Sequence, residues 1–192
     1  MKKIKTTAIC IALLGLLSAC SSPPLVESST GINLQQTNKP VYTLVNLHPD
    51  TGNNRMYSVN YQQEGLIPLC SPVSIQDFNG KVLTFKDLAD NRVYTLIKHG
   101  SSPDFPAYLN KYFGTTCDYE NVKPLSAIDK EGINRGEALV GMSKDGVILA
   151  IGYPPEHKTP SLKSDSWMYW SNRWNRFAVE FDQNGLVSNI KD

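Results

Sequence analysis

Trp167-Met168-Tyr169-Trp170-Ser171-Asn172-Arg173-Trp174-Asn175-Arg176-Phe177-Ala178-Val179-Glu180-Phe181-Asp182-Gln183-Asn184-Gly185-Leu186-Val187-Ser188-Asn189-Ile190 is the stretch whose reading decides the fold. It contains three short runs rich in aromatic and β-branched residues, separated by two clusters of turn residues, Asn172 to Asn175 and Asp182 to Gly185. That pattern predicts a three-stranded antiparallel meander. Alternation places Trp167 and Tyr169 on one face and Met168 and Trp170 on the other. One face must be covered, and the residues just upstream supply the cover.

Two short helices are expected there. Ser126-Ala127-Ile128-Asp129 fits a capping box with Asp in place of Glu, and Gly136 follows the helical stretch. Ile128 and Ile133 point inward. Ser143 is the expected N-cap of the next helix, Asp145 favours its positive end, and Val147, Ile148 and Ile151 form its apolar face. Gly152 ends it and Pro154-Pro155 prevents its resumption. Residues 126–192 therefore read as an α+β layer, two helices on one face of a small meander.

Further upstream the signals are β. Val41 to Val45 is a β-branched and aromatic run, and Met56 to Tyr61 alternates. Leu66 to Ile75 is a strand interrupted at Pro68 and Pro72. Asn79-Gly80 joins Val73-Ser74-Ile75 to Val82-Leu83-Thr84-Phe85 as a hairpin, and Arg92 to Lys98 makes one more strand. Residues 41–100 thus form a β-rich module, a small barrel or curled sheet whose spacing resembles bacterial SH3-like modules. Residues 101–125 are a helical connector: Ser102 or Asp104 caps, and Phe105, Tyr108, Leu109, Tyr112 and Phe113 fall at helical spacing before Gly114.

The chain opens with Lys2, Lys3 and Lys5, an apolar run from Ala8 to Leu17, then Ser18-Ala19-Cys20. A basic start, a short apolar core and small residues at the cut are the parts of an export signal. The run is too short to span a bilayer comfortably. The small residue before Cys20 resembles the bacterial lipobox. That resemblance implies cleavage after residue 19, a diacylglycerol on the Cys20 thiol and a fatty acyl chain such as palmitate on its amine. Ser21, where an Asp would imply inner-membrane retention, implies the outer membrane, with the domain facing the periplasm. An ordinary signal peptide with an incidental cysteine is the plainer alternative. Residues 20–40 are Ser, Pro, Thr, Asn and Gln rich and read as a flexible tether behind the lipidated residue.

Removing residues 1–19 takes away three lysines and moves the formal charge from +1 to −2. No basic run or stripe remains, which argues against nucleic-acid binding. Of the four cysteines, Cys10 leaves with the signal and Cys20 is the lipid site, so Cys70 and Cys117 are left to form one disulfide in an oxidising compartment. The sharper alternative is a nucleophilic Cys70 served by His99 or His157, but no nucleophile motif surrounds either cysteine. His48, His99 and His157 stand at unrelated spacings, and no metal-ligand, phosphate-loop, dinucleotide or serine-nucleophile motif occurs. No catalytic residue, metal site or cofactor is expected.

Gly141-Met142-Ser143-Lys144, Val147, Ile151-Gly152-Tyr153-Pro154, Trp167-x-Tyr169, Val179-x-Phe181 and Gly185-x-Val187 occur in one order. In that order behind a lipobox, residues 126–192 resemble the SmpA/OmlA (BamE-like) family of outer-membrane lipoproteins. The pieces are mostly a fold signature. The region from Val41 to Cys117 has no counterpart in the family, and the segment from Tyr153 to Leu162 is longer than the family's loop, so the chain reads as a relative with an added β module. The resemblance implies a non-enzymatic envelope scaffold or assembly factor with other envelope proteins as partners. A peptidoglycan- or lipid-binding module is the alternative.

Candidate partner-binding residues are Tyr153, Pro154, Pro155 and His157 in the long loop, and Trp170, Arg173 and Trp174 at the strand end and turn. Exposed Trp, Tyr and Arg are favoured interface anchors. Two readings of Trp170 and Trp174 stand side by side: binding anchors, or side chains that seal the junction between modules.

Overall fold

The computed structural model describes residues 23–102, 104–117, 119 and 122–192. The signal segment 1–19 and Cys20 lie outside them. Among the described residues no helix is long and apolar enough to cross a membrane.

The architecture is α+β. A six-stranded sheet is built from β1 (Val41–Thr43), β2 (Arg55–Tyr57), β3 (Pro72–Phe78), β4 (Val82–Asp87), β5 (Val93–Ile97) and β6 (Phe113–Gly114), in the order β2-β5-β4-β3-β1-β6. The β3–β4–β5 core of this sheet is an antiparallel meander, whereas β2 joins β5 in parallel. Asn79-Gly80 makes the β3–β4 turn: Gly80 takes φ +84°, and the Asn79 Oδ1 accepts from the N–H groups of Lys81 and Val82 at 3.0 and 2.8 Å. Alternation holds along β4, where Leu83 and Phe85 are fully buried.

α1 (Phe105–Asn110) lies between β5 and β6, with Asp104 as N-cap accepting from Ala107 N–H at 2.9 Å. The expected helix is cut short here. Phe113 pairs with Thr43 as part of the β6 edge, because strand pairing and burial of its ring outweigh continuation of the helical spacing. The expected strand at Met56 to Tyr61 is also short. Asn60 turns the chain at φ +55°, and its N–H donates to Tyr57 O at 2.8 Å. The expected Leu66–Ile75 strand divides at Pro68 to Ser71, where Cys70 takes φ +62°, and Pro72 opens β3.

The larger correction concerns the tether. Its described part, 23–40, folds onto the six-stranded sheet, with Leu25 and Leu34 0% and 2% exposed in the main core. The average polarity of this segment conceals two leucines that a turn at Gly31 (φ +71°) brings together through a Val26–Asn33 bridge. Asn110 ties the segment down, accepting from Ser28 N–H at 2.7 Å and donating to Val26 O at 3.0 Å. Glu27 accepts from the Thr115 N–H and hydroxyl, both at 2.7 Å.

The C-terminal layer follows the sequence closely. α2 (Ala127–Arg135) carries the Ser126/Asp129 capping box and ends at Gly136 in the left-handed conformation, φ +67°. α3 (Lys144–Ile151) starts at Ser143 and ends at Gly152. β7 (Ser166–Trp170), β8 (Arg176–Phe181) and β9 (Val187–Lys191) form the antiparallel meander. Trp167 and Tyr169 are fully buried against α3 with Val147, Ala150 and Ile151. Ile148 and Leu149 of α3 touch both hydrophobic cores, so this helix is the seam between the modules.

Candidate partner-binding surface

The surface is positioned by the C-terminal end of α3. A helix leaves its last carbonyls without intrahelical partners. Here the β-rich module supplies them: Asn46 N–H donates to Leu149 O at 2.9 Å, the Asn46 side-chain amide to Ala150 O at 3.1 Å, and the Asn60 and Gln62 amides to Ile151 O at 2.8 and 2.9 Å. From the other layer, Tyr169 O–H donates to Gly152 O at 3.0 Å. A Cβ on Gly152 would sit 2.9 Å from the Asn60 Nδ2 and 3.0 Å from the Tyr112 hydroxyl, so only glycine lets these groups close on the chain.

The loop that follows is anchored for its first half. The Tyr153 N–H donates to the Tyr112 hydroxyl oxygen at 3.0 Å. Burial raises the Tyr112 hydroxyl far above the ordinary tyrosine range. Tyr153 is half-buried, and Pro154 and Pro155 are buried. Tyr153, one of the expected partner contacts, meets the Tyr112 ring edge-on at 5.9 Å, which fastens the start of the loop. Lys111 closes the outside, pairing with Glu156 at 2.6 Å and lying 5.4 Å from the Tyr153 ring centre.

The second half of the loop emerges into solvent. His157 is exposed and stacks on Trp170 with ring centres 5.5 Å apart. Partial burial, then the charge of Lys158 and the neighbouring His99, holds its imidazole below the ordinary histidine range. Trp170 is half-buried. Its backbone bridges Tyr61 of the β module, and Gln62 N–H donates to its carbonyl at 2.8 Å. Trp174 differs sharply, with 77% of its surface exposed at the tip of the β7–β8 turn. Arg173 covers its ring at 4.4 Å. Asn172 holds the tip, its Oδ1 accepting from the N–H groups of Trp174 and Asn175 at 2.9 and 3.0 Å.

The structure therefore divides the sequence candidates. Trp170 joins the two modules, whereas His157, Arg173 and Trp174 face solvent. Tyr57 and Tyr61 form an edge-on pair at 5.6 Å beside Trp170 and extend the aromatic strip. Alternation over Met56 to Tyr61 already puts the two tyrosines on one face; what the sequence could not give is the meeting of Tyr61 with Trp170, which pairs segments more than a hundred residues apart.

Cys70 and Cys117 lie at disulfide distance, Cα–Cα 5.5 Å, and link the turn before β3 to the segment after β6. The two histidines weighed as bases for Cys70 have other neighbours. The His99 Nδ1 is 2.7 Å from the Ser101 hydroxyl, and His157 is on the Trp170 ring. Among the described residues no group of histidine, cysteine and carboxylate side chains is placed to hold a metal ion. No protein-family model, curated protein or solved structure matches the chain.

Proposed function

We propose that this protein is an outer-membrane-anchored, periplasm-facing lipoprotein, lipidated at Cys20, that acts as a non-enzymatic envelope scaffold or assembly factor. The SmpA/OmlA (BamE-like) resemblance supports this reading through the order α2-α3-β7-β8-β9, two helices followed by a three-stranded meander. The observation that carries the binding part is Trp174. It is a large aromatic side chain left in solvent, under an arginine, on a turn fixed by two Asn172 hydrogen bonds. A rigid exposed Trp beside Arg is the composition of an interface hot spot.

The experiment is capture of partners from gently solubilised envelopes by the lipidated protein, compared with Trp174→Ala and Arg173→Ala. Recovery of an envelope protein by the wild type, lost in both folded variants, supports the reading. Co-sedimentation with purified peptidoglycan, unaffected by either substitution, would replace it with a wall-binding one.

A further inference from the structure

The segment that begins at Pro23 fixes where acyl chains on Cys20 meet the fold. Only Ser21 and Ser22 separate Cys20 from Pro23. Even a fully extended link of that length reaches at most about 11 Å. The chain that follows has no slack to give. Leu25 is fully buried, its N–H donates to the Gln35 side chain at 2.9 Å, and its carbonyl accepts from Leu34 N–H at 2.8 Å. Two residues on, the Glu27 carboxylate is held by the Thr115 N–H and hydroxyl. A long flexible tether lets a domain turn freely above its anchor. This segment, folded from its fifth residue beyond the lipid site, does not.

Pro23 marks one end of the six-stranded sheet. A Cβ on Gly80 would meet the Pro23 ring at 3.5 Å, which sets Pro23 against the β3–β4 turn. Lys98 N–H donates to Lys81 O at 2.7 Å, Val82 pairs with Ile97, and Ile97 pairs with Tyr57. The same end of the sheet therefore runs from the turn across β5 to the end of β2. Pro23, Pro24 and Lys81 are exposed on it, and Lys81 and Lys98 stand there against one exposed carboxylate, Asp77. At the opposite end, the β4–β5 turn pairs Arg92 with Asp90 at 3.3 Å. The headgroup layer on each side of a bilayer is about 5–8 Å deep. A link of about 11 Å, starting from a residue whose acyl chains lie in the hydrocarbon, is mostly used up within that layer. Pro23 and the adjoining turn then rest on the headgroups, where a lysine with its aliphatic stem is favoured beside phosphate.

We propose that the β3–β4 end of the six-stranded sheet is a membrane-facing surface, held by the short link from Cys20 against the phospholipid headgroups of the bilayer that takes up its acyl chains. The domain then sits on the membrane in one orientation, with the β4–β5 turn pointing away. This inference rests on lipidation at Cys20 in the function proposed above, and not on Trp174.

The test uses the lipidated full chain in phosphatidylethanolamine/phosphatidylglycerol vesicles that contain a nickel-chelating lipid. A nitroxide is carried by the variant Lys81→Cys or Ala89→Cys, two exposed positions separated by the length of β4, about 20 Å. Mass spectrometry first reads the acyl chains on Cys20. Nickel should relax the label at position 81 several-fold more than the label at position 89. A Gly/Ser insertion of about ten residues between Ser22 and Pro23 should bring the two values together. An unacylated Cys20 fails the lipoprotein reading and the docking with it. Acylated protein with equal relaxation at both positions, or with stronger relaxation at 89, overturns the docking alone, as does an insertion that leaves the contrast unchanged.

Discussion

The Asn46 side-chain amide donates to Ala150 O at 3.1 Å, joining the loop after β1 to the end of α3 across 104 residues of chain. The same nitrogen reaches Ile133 O at 2.7 Å, and the Asn46 Oδ1 accepts from Leu69 N–H at 2.7 Å. One buried side chain thus ties both helices to the β module. Asn46→Ala strands at least two buried backbone groups, at a cost of about 1–3 kcal/mol each. Denaturant unfolding should show a single transition for the wild type and a loss of roughly 3 kcal/mol for the variant.

Gly146 tests the contact between the two helices. A Cβ there would overlap the Asp129 carboxylate, which accepts from Ser143 N–H at 2.7 Å while serving the capping box of α2. Alanine gains about 1 kcal/mol of helix propensity over glycine. Overlap with a buried, fully engaged carboxylate outweighs that gain. Gly146→Ala should therefore lower stability by about 1–3 kcal/mol, measured as a reduced denaturation midpoint. An unchanged or raised midpoint would remove Asp129 from this role.

His48 gives the junction a pH dependence. Burial lowers its pKa from the ordinary 6.5, only partly opposed by its hydrogen bonds to the Ala150 and Gln63 backbone. The unfolded chain then binds the proton more readily than the folded one. Stability is full above about pH 6.5 and falls as the pH drops below it towards the folded-state pKa. Glu27 acts lower on the scale. Its burial is outweighed by hydrogen bonds from Thr30 and Thr115 and by Lys39, so its pKa is depressed and its contribution is lost only below about 4.5. Melting temperatures between pH 7.5 and 5.0 should fall for the wild type and fall less for His48→Asn, whose melting temperature starts lower and whose remaining slope comes from His157, also held below the ordinary histidine range.

Reduction of the Cys70–Cys117 pair opens a 47-residue span. The chain-entropy argument assigns such a loop about 4 kcal/mol. The double variant Cys70→Ser/Cys117→Ser should lose a comparable amount in denaturant unfolding, and reductant should then have no further effect on it.

Where local chemistry decides, the sequence was readable. Ser126 with Asp129, Ser143, Gly136 and Gly152 set the helix ends, Asn79-Gly80 set the hairpin, and Trp167 and Tyr169 marked the buried face of the meander. Where distant segments decide, it was not. The parallel β2–β5 pairing, the two-residue β6 edge and the burial of Leu25 and Leu34 depend on partners tens of residues away. The binding surface shows the same division. Trp174 was legible as a turn residue, whereas the meeting of Tyr61 with Trp170 arises only when the modules dock.

The most direct test places a photo-crosslinking amino acid at position 174 in living cells, with position 183 on the opposite exposed turn as control. The account predicts one discrete adduct with an envelope protein from position 174 and none from position 183. No adduct, or the same pattern from both positions, would contradict Trp174 as the partner contact.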